Sequence, residues 1–532
     1  MKAWIAKYKN IGITAALCCF FCYFYLMIDG YGGPDSTSEG VHFYRNADWA
    51  AQCGRWMIRY LNEIFGKNAI LPFVVVVGYC AMIALSAGFL CEMLHISDKI
   101  MQVLVTAALV SFPVVTDQFA YLYMALSYSF SFLAVVAGYL LLRRRRIVSF
   151  AGGILCFLLM LGSYQAYIGA VAALGLILFI RDLLWEKELR RSFTDLALAV
   201  IAAGAACVLN FGVMEVMMRI YGLNAADRVA AFSLASIIEN LGFTFKYSYI
   251  WFFTPFREAD VLFRKKIYAV FFALLLAAAA VCVVLLIKRK TGEKKNPVTA
   301  VLFGTAFLLL PLAMNVCVVL FPSNGINGVM QYHYVLLFPL FFIFCSYIGK
   351  PAQGDGDIKK MIREQFLKKP HMLFEPLGCA LLFVLVCTWT LSAESTWLLN
   401  RLIYEHSIQQ ATLMLGQVYE LDDYHYRQTP VVLGGVIDYS ELRGIYPLLF
   451  RYGRIGAGPI LWENDYGMTQ GRYHFFREYM GFDPGWISRE EYTYIVSTQQ
   501  YKDMAVWPEK GSVAMIDSYA VIKNTDEPPG VD

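Results

Sequence analysis

The feature that most constrains this 532-residue sequence is a series of long apolar runs. A helix needs about 20 apolar residues to cross the hydrocarbon core of a bilayer, and fewer where neighbouring protein shields it. Only 16% of the residues are charged, whereas soluble domains contain about 25%. The sequence therefore predicts an all-α polytopic membrane protein with about eleven spans, at 11–28, 69–91, 100–115, 118–142, 147–162, 164–181, 195–218, 267–287, 297–321, 333–349 and 372–394.

Basic residues predict how these spans are oriented. Lys2, Lys7 and Lys9 precede the first span, and Arg143 to Arg146 occupy a loop on the same predicted side. Cytoplasmic loops are enriched in Lys and Arg. We therefore predict a multi-pass protein of the plasma membrane with a cytoplasmic N-terminus, and an odd number of spans places the C-terminus outside the cell.

One basic cluster departs from this pattern. Arg264, Lys265 and Lys266 end the predicted outer segment 219–266. Either residues 241–256 also span the membrane, or these three side chains snorkel to the outer surface. We favour the second interpretation, because an additional span would invert every later loop.

The chain divides into a membrane part, residues 1–394, and a C-terminal part, residues 395–532. The C-terminal part holds 11 Lys and Arg against 18 Asp and Glu, a net charge of −7. Residues 430–436, 493–497 and 512–522 are rich in β-formers and are predicted to be strands. A small α+β domain outside the cell is therefore expected.

Several classes of site and partner are disfavoured. The net charge of +4 is too small to suggest nucleic-acid binding. Twelve of the 13 cysteines lie inside apolar runs, among them Cys18, Cys19 and Cys22 in the first run, so they form no disulfide framework and no pair of CxxC motifs for zinc, and the seven histidines show no metal-ligand spacing. The bilayer itself is the partner that the composition predicts.

The loop after the first span, residues 29–68, is unusual in its acidic residues. Asp29, Asp35 and Glu39 lie in a Gly-rich stretch, and an apolar face follows at helical spacing, formed by Trp49, Cys53, Trp56, Met57, Tyr60, Leu61 and Ile64. This spacing predicts one interfacial helix from about Asn46 to Ile64. Carboxylates at that level can act as a general base or bind a divalent cation, although a solvated turn has the same composition.

Three short motifs occur in this topology. The first is Gly54-Arg55-Trp56, after the acidic loop. The second is Ser163-Tyr164-Gln165, at an outer turn. The third runs from Trp507-Pro508 through Gly511-Ser512 to Val521-Ile522-Lys523. Together the motifs resemble the O-antigen glucosyltransferase family, which contains GT-C type membrane enzymes associated with serotype conversion and typically has Tyr at the position of Trp507. The resemblance implies a GT-C-like fold.

The resemblance also implies transfer of glucose or a related hexose from a polyprenyl-phosphate sugar to a cell-surface glycan. By the family's acidic pattern, Glu39 is the first candidate for the catalytic base and Asp35 the second. Donor and acceptor would be bound by Asp29, Arg55, Tyr164, Gln165 and Lys523. Each of these five also has a structural interpretation, such as a helix end, a snorkelling arginine or a surface lysine. No cofactor is implied with certainty, and a divalent cation, Mg or Mn, is left open.

A transporter or flippase of lipid-linked glycans is the alternative function. Such a protein needs no catalytic acid and would carry charges at the midplane of several spans. In this sequence the midplanes are poor in charge and acidic residues concentrate in the first outer loop. The pattern favours a glycosyltransferase.

Overall fold

The structure is a computed structural model. It describes residues 8–33, 36, 44, 47–185, 188–224, 234–253, 264–288, 290–291, 294–295, 297–320, 328–349, 371–453 and 467–526. Asp35 and Glu39 lie outside these residues, as does Asn46.

Most of the described chain is helical. The membrane part contains α1 (Lys9–Asp29), α2 (Ala47–Gln52), α3 (Met57–Gly66), α4 (Pro72–Met93), α5 (Lys99–Ser111), α6 (Pro113–Phe119), α7 (Leu122–Leu142), α8 (Ile147–Ser163), α9 (Ile168–Leu184), α10 (Leu189–Tyr221), α11 (Leu234–Tyr249), α12 (Arg264–Lys288), α13 (Pro297–Met314), α14 (Cys317–Leu320) and α15 (Leu337–Ile348), with 3₁₀ turns at Gln165–Tyr167 and Gly328–Leu336 and a two-residue hairpin of Lys290–Thr291 with Lys294–Lys295. Helix α16 (His371–Tyr419) follows.

Ten helical stretches within the described residues are long and apolar enough to cross a membrane. An eleventh apolar helix, α8, is shorter, with 17 residues. At 1.5 Å per residue α8 is about 25 Å long, close to the thickness of the hydrocarbon core. The predicted helical membrane architecture is confirmed.

Local sequence explains where several helices begin. Pro72 and Pro113 occupy first-turn positions of α4 and α6, where a missing backbone N–H costs nothing. The Asp98 side chain accepts hydrogen bonds from the N–H groups of Ile100 and Met101 at the start of α5. Pro113 also separates α5 from α6, because proline disfavours helical geometry in the preceding residue.

Helix α1 packs on α4, α5 and α16, while α4 and α8 pack on α7. Arg143 and Asp182 form an ion pair of 3.3 Å at one end of the bundle, and Arg145 pairs with Asp195 at 2.7 Å. We call this end the predicted inner face. The predicted outer face is the opposite end, which carries Asp29.

Helix α16 connects the two parts of the chain without a break. Its 49 residues correspond to about 74 Å, far more than the bilayer core of about 30 Å. Trp397 belongs to the core of the bundle, whereas Ala411 and Met414 belong to a second core. The predicted boundary at 394/395 lies inside this helix, and the division into domains stays a prediction.

The C-terminal part contains a three-stranded sheet and several short helices. Strand β3 (Val431–Gly434) pairs in parallel with β5 (Tyr519–Lys523), and β5 pairs antiparallel with β4 (Val513–Ile516), counting the small hairpin as β1 and β2. The helical segments are α17 (Ser440–Ile445), α18 (Pro447–Tyr452), π-turns at Gly467–Gly471 and Phe475–Tyr479 flanking α19 (Arg472–His474), α20 (Arg489–Ser497) and α21 (Gln499–Asp503). The predicted small sheet is confirmed.

The predicted strand at 493–497 is wrong, because these residues end helix α20. Ser488 and Glu491 form a capping box, in which the Ser488 side chain accepts from the Glu491 N–H and the Glu491 carboxylate accepts from the Ser488 N–H. Two otherwise unpaired N–H groups are satisfied in this way. The local cap therefore outweighs the β-propensity of the residues that follow.

Helix α11 is not among the helices that meet the length and hydropathy expected of a span within the described residues. It contains 16 residues and packs on α13 and α14. Residues 254–256 lie outside the described residues, and whether 241–256 crosses the membrane stays a prediction. Orientation itself remains a prediction.

Reporter fusions test the predicted orientation. An alkaline phosphatase fused after Lys290 is expected to be inactive, because that loop is predicted to be cytoplasmic, and one fused after Asp532 is expected to be active. A fusion after Ser163, at a predicted outer turn, is the positive control. Phosphatase activity after Lys290 would contradict the orientation.

Candidate active site

The first outer loop begins at a turn that requires glycine. Helix α1 ends at Asp29, and Gly30 has a φ of +68°. A Cβ on Gly30 would lie 2.6 Å from the Pro72 ring, and the left-handed conformation disfavours other residues as well. The Asp29 carboxylate, 16% exposed, lies 3.7 Å from Nε of Arg401 in α16. The end of the first span is therefore fixed against α4 and α16.

The described residues of the loop are anchored on two sides. Asn400 Nδ2 donates to the Tyr31 carbonyl at 3.0 Å, and the Tyr404 hydroxyl donates to the Gly32 carbonyl at 3.0 Å. On the other side, the Gly33 N–H and the Ser36 hydroxyl both donate to the Ala120 carbonyl at 2.8 Å. Asp35 lies between Gly33 and Ser36 in the sequence. These contacts hold the described residues on either side of Asp35 at the turn between α6 and α7.

Tyr31 also meets the C-terminal part of the chain. Its ring stacks on Tyr404 with centroids 4.4 Å apart, and Tyr479 lies 5.7 Å from it. Sequence reasoning missed Asn400, Tyr404 and Tyr479, because nothing near them in the sequence indicates a contact with residues hundreds of positions earlier.

The predicted single interfacial helix is broken. Helices α2 and α3 are separated at Cys53–Trp56, and Gly54 has a φ of +75°. A Cβ on Gly54 would lie 2.7 Å from Nε2 of Gln165 and 2.8 Å from the Met214 sulfur. The close approach of two other helices at Gly54 interrupts the amphipathic pattern.

The two motifs at 54–56 and 163–165 are in direct contact. Gln165 Nε2 donates to the Cys53 carbonyl at 2.9 Å. The Arg55 guanidinium lies over the Tyr164 ring, 5.0 Å from its centroid. The structure therefore brings together three of the predicted binding residues, Arg55, Tyr164 and Gln165.

Arg55 is half-buried and has no carboxylate partner among the described residues. Its Nη1 contacts only the Met124 sulfur, at 3.7 Å, and its buried Nε has no hydrogen-bond partner. Arginine stays protonated in proteins, and a buried charge is costly unless it is paired. The cation–π contact with Tyr164 offsets part of this cost. Such a site is complementary to an anion.

Tyr164 and Gln165 differ in which of their polar groups already have a hydrogen-bond partner within the protein. Tyr164 is buried and packs edge-on against Tyr128, and its hydroxyl makes no hydrogen bond within the described part of the chain. The half-exposed Gln165 uses its N–H₂ group on Cys53. The Tyr164 hydroxyl can thus hydrogen-bond a ligand, whereas the Gln165 amide also binds the backbone between α2 and α3.

The structure does not bring Lys523 to this cluster. Lys523 is 2% exposed on β5, and its ammonium donates to the carbonyls of Lys502 and Met504 at 3.0 and 2.9 Å. It also pairs with Asp526 at 3.1 Å. These three partners satisfy the three donors of the ammonium group, so its described contacts are structural.

In the part of the chain that the structure describes, no three His, Cys, Asp or Glu side chains form a group that could hold a metal ion.

Comparison with known proteins gives one match. A family model described as Glucosyl transferase GtrII matches residues 24–344, which is more than half of the chain. No curated protein and no solved structure matches. The matched range includes Asp29, Asp35, Glu39, Arg55, Tyr164 and Gln165, and it ends before Lys523.

Proposed function

This chain belongs to the GtrII glucosyl transferase family, and from that premise we propose that it moves glucose or a related hexose from a polyprenyl-phosphate carrier to a cell-surface glycan at the outer face of the plasma membrane. Family membership and the apolar helices together make it a membrane glycosyltransferase. The lipid carrier, the glycan acceptor, the GT-C-like fold and the sidedness are our proposals.

The unpaired Arg55 guanidinium carries the proposal. A guanidinium binds phosphate oxygens through paired, charge-assisted hydrogen bonds. A hexose linked to a polyprenyl phosphate is a phosphodiester with one negative charge, which matches the one positive charge of the Arg55 guanidinium. Arg55 lies at the break between α2 and α3, against Tyr164, in the segment predicted to be at the outer interface. An amphiphilic donor and a polar acceptor can both reach such a position.

The proposed chemistry is a direct displacement at the anomeric carbon. The carboxylate of Glu39, or of Asp35 as second candidate, accepts the proton of an acceptor hydroxyl. The acceptor oxygen forms a bond to the anomeric carbon as the bond from that carbon to the phosphate oxygen breaks. The electron pair leaves with the phosphate, and Arg55 stabilises the charge that develops there.

Other predicted residues take supporting roles in this proposal. The Tyr164 hydroxyl hydrogen-bonds the donor, and Gln165 contacts the sugar while holding the Cys53 carbonyl. Asp29, near the entrance of the loop, binds acceptor hydroxyls. The contacts of Lys523 support a structural role for that side chain. Membership in a transferase family favours an enzyme over a flippase.

A donor test follows. The full chain, purified into lipid nanodiscs, is expected to transfer labelled hexose from polyprenyl-phosphate hexose to a glycan acceptor, measured by mass spectrometry. A nucleotide sugar without lipid carrier is the matched control and should give no product. Transfer from the nucleotide sugar alone would contradict the proposed donor.

A further inference from the structure

Helix α10 carries one buried amide side chain, which contacts the residue that follows Arg55. Asn210 is 6% exposed, and its Oδ1 accepts a hydrogen bond from the Trp56 indole N–H at 3.0 Å. The residues around it in this helix are apolar and mostly exposed at the bundle surface, among them Val208 and Leu209. A polar side chain in such a helix is costly unless it is paired. The bond to Trp56 pairs it.

Trp56 directly follows Arg55 and is closely enclosed. Its indole packs on Gly162, where a Cβ would leave no room for the ring. Gly162 immediately precedes the Ser163-Tyr164-Gln165 motif. The side chain of Trp56 therefore ties the backbone after Arg55 to α8 and α10 together.

A second residue of α10 acts on the other side of Arg55. Met214, one turn after Asn210, contacts Gly54 and accepts a weak hydrogen bond from Asn210 Nδ2 at 3.6 Å. Gln165 holds the Cys53 carbonyl. The residues flanking Arg55 are thus fixed before and after it, while the guanidinium itself has no polar partner other than the Met124 sulfur among the described residues.

We propose that Asn210 is a positioning residue that acts through Trp56 to hold the Arg55 guanidinium over Tyr164, ready to receive the donor phosphate. This inference rests on the proposed function. A long cationic side chain near the membrane surface gains energy by extending toward water and head groups. Fixing the backbone on both sides of Arg55 opposes that movement and keeps the cation in the pocket.

The inference predicts a specific thermodynamic coupling. Trp56→Phe keeps an aromatic ring but removes the indole N–H together with part of the contact with Gly162, and Asn210→Leu removes the acceptor. Loss of one hydrogen bond of about 1 kcal/mol corresponds to a binding constant weakened about fivefold to tenfold. Each single variant is expected to weaken binding of polyprenyl phosphate by this factor, and the double variant no further, because both substitutions remove the same bond.

The decisive measurement repeats Asn210→Leu in an Arg55→Met background. If Asn210 acts through Arg55, the substitution has no further effect on binding of polyprenyl phosphate there. A purely structural residue would still lower binding in that background, and this result would overturn the inference. Val208→Ala, an exposed substitution two residues away, is the control and should leave binding unchanged.

The outcomes separate this inference from the proposed function. Binding of polyprenyl phosphate by the unmodified chain, with no change in either single variant, overturns the positioning role alone. Failure of the unmodified chain to bind polyprenyl phosphate overturns the proposed donor and this inference with it. If Asn210→Leu does not accumulate in the membrane, the smaller substitution Asn210→Ala, which also removes the acceptor, gives the same test.

Discussion

Replacing Arg55 with methionine is expected to lower hexose transfer by about 10²–10³-fold, the usual cost of removing a group that stabilises developing negative charge. The same change should not lower the thermal unfolding temperature. It removes a half-buried cation that has no carboxylate partner among the described residues, and methionine packs well on an aromatic ring. Transfer assays and thermal unfolding of the purified protein measure the two effects.

A loss of transfer without a loss of stability distinguishes a binding role from a structural one. A structural arginine would lose stability and activity together, and that result would contradict the assignment. Arg55→Lys keeps the charge but loses the planar fork, so intermediate activity is expected. Arg59→Met is the matched control, because Arg59 also lies over an aromatic ring, 4.8 Å from the centroid of Tyr221, and should retain transfer.

Changing Glu39 to Gln is expected to reduce transfer by about 10²–10⁴-fold, the usual cost of losing a general base. The substitution keeps the size of the side chain and removes its charge and basicity. A similar but smaller loss is expected for Asp35→Asn. Membrane abundance should remain normal, because the sequence predicts that Glu39 and Asp35 lie in a loop, and loop substitutions usually change stability by about 0.5 kcal/mol or less. Transfer in nanodiscs and protein abundance by immunoblot measure both quantities.

Asp48→Asn is the control for this pair, because Asp48 is an exposed acid in the same outer loop, in the first turn of α2. It should retain full transfer. Near-normal activity in both Glu39→Gln and Asp35→Asn would show that the base lies elsewhere, and Asp29 would be the next residue to test.

Much of the candidate site is visible in the sequence only as separate motifs. Arg55 and Tyr164 were selected by resemblance, and the structure places the guanidinium of one over the ring of the other. Lys523 was selected in the same way, yet its donors are satisfied inside the C-terminal sheet. A motif identifies residue types, but the partners of those residues depend on segments distant in the chain.

The sequence by itself determined the spans, because the bilayer requires about 20 apolar residues wherever the backbone crosses it. That requirement is local, so each run can be recognised without its neighbours. Only the tertiary structure decided the break at Gly54, the continuation of α16 to Tyr419, and the bond between Trp56 and Asn210. Each of these depends on helices packing together from positions up to hundreds of residues apart. Packing of this kind is governed by the shapes of the contacting surfaces and by the pairing of buried polar groups. The hydropathy of a single segment therefore does not predict it.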